Sequence, residues 1–227
     1  MKTNLFRLAT EGTDAVASVE MEREYAFHAR LEDTSCLKSA LSSEEHVQAQ
    51  VSITSVSKDS LPMRMRIRRT RVFMTPLGNK AQEPTYIQTL KIDGVRQPGG
   101  PSATMEINDP ISPEAFFALM MRSPKVMFKR RYTLPVQGHP KLKWEIDRFY
   151  LKDGEFSPWC KIDLEVPGSF QTKDLPSLPP GFHMGSAVMN QRPERTPEES
   201  RLVQGLYENL FEIPADEQLL KLINATA

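Results

Sequence analysis

The sequence predicts an α+β fold, mainly antiparallel β, in which about eight strands close or nearly close into a barrel around a tunnel, with helices flanking it. Polar and apolar residues alternate with a period of two over many short stretches, as in strands that present one face to a core. The links between these stretches are mostly too short for helical crossovers, so neighbouring strands run antiparallel. Only two or three segments carry a helical pattern instead.

Residues 1–18 are polar and rich in small residues and read as a flexible arm. The first strand is Val19–Phe27, with Glu20, Glu22 and Glu24 on one face. A helix is expected over Ser42–Gln50, capped by Ser42 or Ser43 with Glu45 in its first turn. Residues 51–56 (VSITSV) read as a strand. Met63–Val72 follows, placing Arg64, Arg66 and Arg68 opposite Met63, Met65 and Ile67. A polar loop over 75–84 leads to a strand at Tyr86–Ile92 with Thr89 and Lys91 on one face, then to a Pro/Gly loop over Arg96–Pro101. Residues 102–108 form a strand bearing Thr104, Glu106 and Asn108. Ser112-Pro113-Glu114 opens a short helix: Ser caps it, Pro takes the first helical position, and 115–121 supply the apolar face. Val126–Leu134 carries Lys129 and Arg131, Lys143–Tyr150 carries Glu145 and Asp147, and residues 159–166 carry Lys161, Asp163 and Glu165. A Pro-rich passage over 167–195 precedes a helix at 197–211 and a short one at 215–223. The barrel domain thus covers 19–211, and 212–227 form a tail or short helix.

A chain of 227 residues, 39% hydrophobic and 26% charged, has material for one packed domain of this kind. Lysine plus arginine equals aspartate plus glutamate at 29 each, which argues against a general nucleic-acid binder. The two cysteines, Cys36 and Cys160, form no CxxC pattern, so neither a zinc site nor a disulfide framework is expected, and free thiols fit a reducing compartment. The N-terminal residues lack the apolar core of a signal peptide, and no apolar run is long enough to cross a bilayer. A cytoplasmic protein with no membrane partner is expected.

The alternation is unusual in kind. Several strands keep an apolar face, yet their other face repeats one sign of charge: Glu20/Glu22/Glu24, Arg64/Arg66/Arg68, Lys129/Arg131 and Glu145/Asp147. Like charges along a strand face repel unless something intervenes. Arginine rows can grip phosphate oxygens bidentately, and carboxylate rows can hold hard cations such as Mg²⁺ or Mn²⁺. From spacing alone, a solvated outer face and a charged interior both remain open. His28, His46, His139 and His183 do not cluster, and Trp144 and Trp159 read as packing residues.

The ordered series of charged strands resembles the CYTH superfamily of triphosphate tunnel metalloenzymes. Glu20-Met21-Glu22-Arg23-Glu24 is similar to its Glu-x-Glu-x-Lys signature, and Arg66-Ile67-Arg68 to its Arg-x-Arg strand. Thr89-Leu90-Lys91, Lys129-Arg130-Arg131-Tyr132 and Trp144-Glu145-Ile146-Asp147-Arg148-Phe149 follow in the family's order, and Asp163-Leu164-Glu165 is a loose counterpart of its closing Glu-x-Glu. The resemblance implies a tunnel in which Arg64, Arg66, Arg68, Lys91, Lys129 and Arg131 grip a triphosphate-containing small molecule. It implies Mg²⁺ or Mn²⁺ held by Glu20, Glu22, Glu145, Asp147, Asp163 and Glu165, with Glu20 and Glu22 central to hydrolysis. Three departures stand out: Glu24 replaces the signature Lys, Thr104 replaces a common Arg, and Lys161 sits where an acid is usual. Lys161 is a candidate for restoring the lost positive charge as a substrate-binding residue. Loss of the signature Lys removes a group the family uses in turnover and leaves phosphate binding. A catalytically inactive barrel that binds nucleotide, polyphosphate or RNA is therefore the alternative to a triphosphatase.

Overall fold

The structure is a computed structural model that describes residues 17–20, 22–51, 63–73, 82–96, 102–167, 175–182, 188–189, 201 and 213–226. Within its strands and helices, residues 17–26, 93–96, 102–105, 165–167, 188–189 and 222–226 are described by backbone alone. The strands are β1 (Ala17–Glu20), β2 (Glu22–Arg30), β3 (Ser42–Val51), β4 (Met63–Phe73), β5 (Thr85–Arg96), β6 (Ser102–Pro110), β7 (Val126–Val136), β8 (His139–Tyr150), β9 (Phe156–Pro167) and β10 (Val188–Met189). They form one antiparallel sheet in the order β1-β6-β5-β4-β3-β7-β8-β9-β2-β10. Helix α1 (Pro113–Met120), helix α2 (Ala215–Thr226) and a 3₁₀ turn (Thr34–Ser39) complete an α+β fold that is mainly antiparallel β. Among the described residues no ladder joins the two ends of this order. Met21 alone separates β1, paired with β6, from β2, paired with β9.

Most of the expected strands are present, longer than the alternation suggested. The helix expected over Ser42–Gln50 is a strand, β3, paired on both sides with β4 and β7. Val47 and Val51 are four apart, a helical spacing, but Val47, Ala49 and Val51 also alternate with Gln48 and Gln50. In the sheet, Val47 and Ala49 are buried under helix α1 while Gln50 is exposed, so packing decides in favour of the period of two. Of the strand expected over 51–56, Val51 ends β3 and the rest lies outside the described residues. So do residues 1–16 of the arm, most of the 75–84 loop, and the 197–211 helix apart from Arg201.

The apolar side of the sheet is covered in two places. Trp144, Ile146, Ile162 and Leu164 form one buried cluster with Phe182, against which Leu37 of the 3₁₀ turn and Leu175 pack. Val47, Ala49, Ile67, Val126 and Phe128 form the other, beneath Phe116 and Met120 of α1 and Ala215 of α2. Helix α1 begins as its sequence indicates: Ser112 Oγ accepts from the Ala115 amide at 3.2 Å, and Pro113 needs no amide partner in the first turn. Phe116 and Met120, both fully buried, anchor it, each contributing about 1.5–3 kcal/mol by burial. Between β7 and β8 the chain reverses at Gln137-Gly138, where Gly138 adopts φ +79°. Among the described residues no helix is long and apolar enough to cross a membrane.

Candidate functional site

Directly paired residues of an antiparallel ladder share a face of the sheet. Following partners from strand to strand places the expected charged residues together. Lys91 pairs with Arg64 and Thr89 with Arg66. Arg66 pairs with Gln50 and Arg68 with Gln48. On the next strands, His46 pairs with Lys129 and Glu44 with Arg131. Arg131 pairs with Asp147, Asp147 with Lys161, and Glu145 with Asp163. All of these lie on the face opposite the two apolar clusters. The backbone register then pairs Glu24 with Glu165, Glu22 with Pro167 and Glu20 with Thr104. The side chains of Glu20, Glu22, Glu24 and Glu165 lie outside the described residues.

On β7–β9 the charges neutralise each other. Lys129 and Arg131 both bind Asp147: Lys129 Nζ donates to Oδ2, and Arg131 Nε reaches Oδ1 at 2.7 Å. Arg131 also donates to Glu145 and comes within 3.8 Å of Asp163, while Lys161 Nζ donates to Asp163 at 2.6 Å. Asp147 is fully buried, and Lys129 and Asp163 nearly so. Burial alone would raise the Asp147 carboxyl, yet Lys129 and Arg131 hold it well below the usual carboxylate range. Burial likewise pulls Lys129 down from the usual lysine range, with Asp147 pulling back. Both oxygens of Asp147 are thus engaged by cations, which shapes how far this set fits a metal. Among the described residues no group of His, Cys, Asp and Glu is arranged to hold an ion. Metal ligation through Glu20, Glu22 and Glu165 rests on their motif alone.

On β4–β5 the balance differs. Lys91 pairs with Glu106. Among the described residues Arg66 reaches the hydroxyl of Thr89, at 3.5 Å, and Thr89 in turn donates to Asn108 at 2.7 Å. Among the described residues no carboxylate forms an ion pair with Arg66 or Arg68, and the Nε atoms of both are buried without a hydrogen-bond partner. Burial pulls Arg66 down to about 10, with Arg68 pushing the same way. Arg68 is lowered by burial and by Arg131, while Asp147, Glu44 and Glu145 pull it back up. A cavity of about 150 Å³ opens here, lined by Gln48, Gln50, Arg64, Met65, Arg66 and Lys91. Half-buried guanidinium groups that form no ion pair with a described carboxylate, Arg66 beside open volume, suit a polyanion.

His46 is a member of this face that its sequence context concealed. It is 1% exposed, and its Nε2 lies 2.9 Å from Glu44 Oε2. Burial holds its pKa down at about 4; the Glu44 hydrogen bond raises it, and Lys129, Arg68 and Arg131 lower it further. Glu44 is itself lowered, first by the His46 hydrogen bond. A segment read as a helix gave no reason to place His46 beside Lys129; its alternation with Glu44, Gln48 and Gln50 was the available signal. Cys160 faces the apolar side, and burial pushes its thiol up to about 12, which makes it a poor nucleophile.

No family model matches the chain, and no curated protein matches it. Among solved structures, the chain is similar to the PH1819 protein of Pyrococcus horikoshii OT3. The two share 15% sequence identity at a TM-score of 0.41, over 88% of this chain and 99% of that one.

Proposed function

We propose that the charged face lines the interior of a CYTH-type barrel and seats a triphosphate group, with Mg²⁺ or Mn²⁺ as cofactor and phosphohydrolysis as the activity. The observation that carries this reading is the pair Arg66 and Arg68, half-buried with no ion-paired carboxylate among the described residues, Arg66 lining the cavity. Closure is supported by the chain around Met21. Its two neighbours are at most about 7 Å apart, so the β6 and β9 ladders flank almost the same stretch of backbone.

In this reading Arg64, Arg66, Arg68 and Lys91 grip the phosphate chain. Lys129, Arg131 and Lys161 add positive potential from the neighbouring strands. Glu20 and Glu22, with Glu165, are the carboxylates assigned to the divalent ion, which would shield phosphate charge. Water attacks the terminal phosphorus and the bond to the bridging oxygen breaks. The arginines then stabilise charge on the leaving phosphate. Glu24 in place of the signature Lys supports a second reading, a barrel that binds a polyphosphate or nucleotide without turnover.

The test is phosphate release from tripolyphosphate, ATP and thiamine triphosphate with Mg²⁺ or Mn²⁺, for the native protein and for Glu22→Ala and Arg66→Ala. Release abolished by either substitution is the expected result. Binding without release selects the second reading, and neither binding nor release overturns both.

A further inference from the structure

His46 sits at the centre of the charged face and has no place in the triphosphate reading above. Its cross-strand partners are Thr70 on β4 and Lys129 on β7. The charged groups around it are Glu44 on its own strand, Arg68 on β4, and Lys129 and Arg131 on β7. Asp147 on β8 is bound to both Lys129 and Arg131, and Lys161 on β9 lies beyond it. One ring nitrogen is engaged by Glu44. The other, Nδ1, is buried without a partner among the described residues. A nitrogen so placed accepts a proton more readily when the positive potential about it falls.

We propose that His46 is a further anion-binding residue of this face, taking up a proton from solvent when a polyphosphate neutralises Arg68 and then adding its own positive charge to the seat. The proposal rests on the triphosphate reading and names a residue of the same site. In the free protein the neighbouring cations oppose protonation, and burial opposes it more strongly. A bound polyanion reverses the sign of the local field and removes the first of these effects. The imidazolium is then hydrogen-bonded to Glu44 on one side and drawn toward phosphate charge on the other. Anion binding and protonation of His46 therefore reinforce each other, by the reciprocity that links any two ligands of one protein. The proton is a conditional cation: absent when the seat is empty, so that the empty face does not carry one more repelling charge.

The experiment is an NMR pH titration of the His46 imidazole in the full chain, assigned through its own backbone so that no variant is required, with and without saturating tripolyphosphate. In the free protein His46 stays neutral at every pH above about 5. With tripolyphosphate its titration midpoint moves up by about two units, and the protonated form binds about a hundredfold more tightly than the neutral one. Tripolyphosphate that binds and leaves the His46 midpoint unmoved overturns this inference and leaves the triphosphate reading intact. Failure of tripolyphosphate to bind overturns that reading, and the inference with it.

Discussion

The two halves of the charged face are built from the same residue types and do opposite things with them. On β7–β9, Lys129, Arg131 and Lys161 are matched by Glu145, Asp147 and Asp163 in a connected, largely buried cluster. On β4–β5, among the described residues, Lys91 is paired with Glu106 while Arg66 and Arg68 form no ion pair. A buried cluster with its charges matched needs nothing more, and losing a member leaves a stranded charge. An under-matched cluster is costly when empty and gains when an anion arrives. The first half is therefore scaffold and the second is site. A motif that marks both halves as charged does not separate these roles.

Substitutions that break the comparison are expected to differ in size. Asp147→Asn strands the buried Lys129, leaves Arg131 with Glu145, and costs about 3–5 kcal/mol of stability, read by urea unfolding. The next effect is acid destabilisation through His46 and Glu44. His46 has its folded pKa depressed to about 4 from 6.5, so the unfolded chain binds the extra proton between those values. Its contribution is full above about pH 6.5 and lost as pH falls toward about 4, amounting to about 3 kcal/mol. Glu44, also depressed, is lost in the same direction below its ordinary value of 4.5. Unfolding free energy measured from pH 7 down to pH 4.5 checks this, and His46→Gln flattens the upper part of the decline. Ser112→Ala, away from the charged face, removes the α1 cap and costs about 1 kcal/mol. Arg66→Met is expected to be the smallest: it removes an under-matched, half-buried charge, so the melting temperature holds or rises. A large fall there would mean that Arg66 belongs to the scaffold.

Much of this arrangement could be read before any coordinates. Strand faces follow from alternation alone, and MRMRIRR or KWEID is legible because every second residue changes character. The cap of α1 is local chemistry within four residues. What alternation does not give is the partner. That Lys129 neutralises Asp147 while Arg68 lacks a described counterpart follows from cross-strand register, which sets residues tens of positions apart side by side. The β3 strand was hidden for a related reason. Its Glu, Gln and Ala residues favour helices, its serines resemble a cap, and only pairing with β4 and β7 settles the matter. With β3 read as a helix, His46 and Glu44 could not be placed on the charged face at all.

The most direct test of the division between scaffold and site is calorimetric titration of tripolyphosphate into the native protein, Arg66→Met and Lys161→Met at low ionic strength. A charge-assisted hydrogen bond is worth about 1.5–3 kcal/mol, so Arg66→Met is predicted to weaken binding by about 10- to 150-fold. Lys161, already held by Asp163 at 2.6 Å, is predicted to matter several-fold less. Equal losses from the two substitutions, a larger loss at Lys161, or no binding by the native protein would contradict the account.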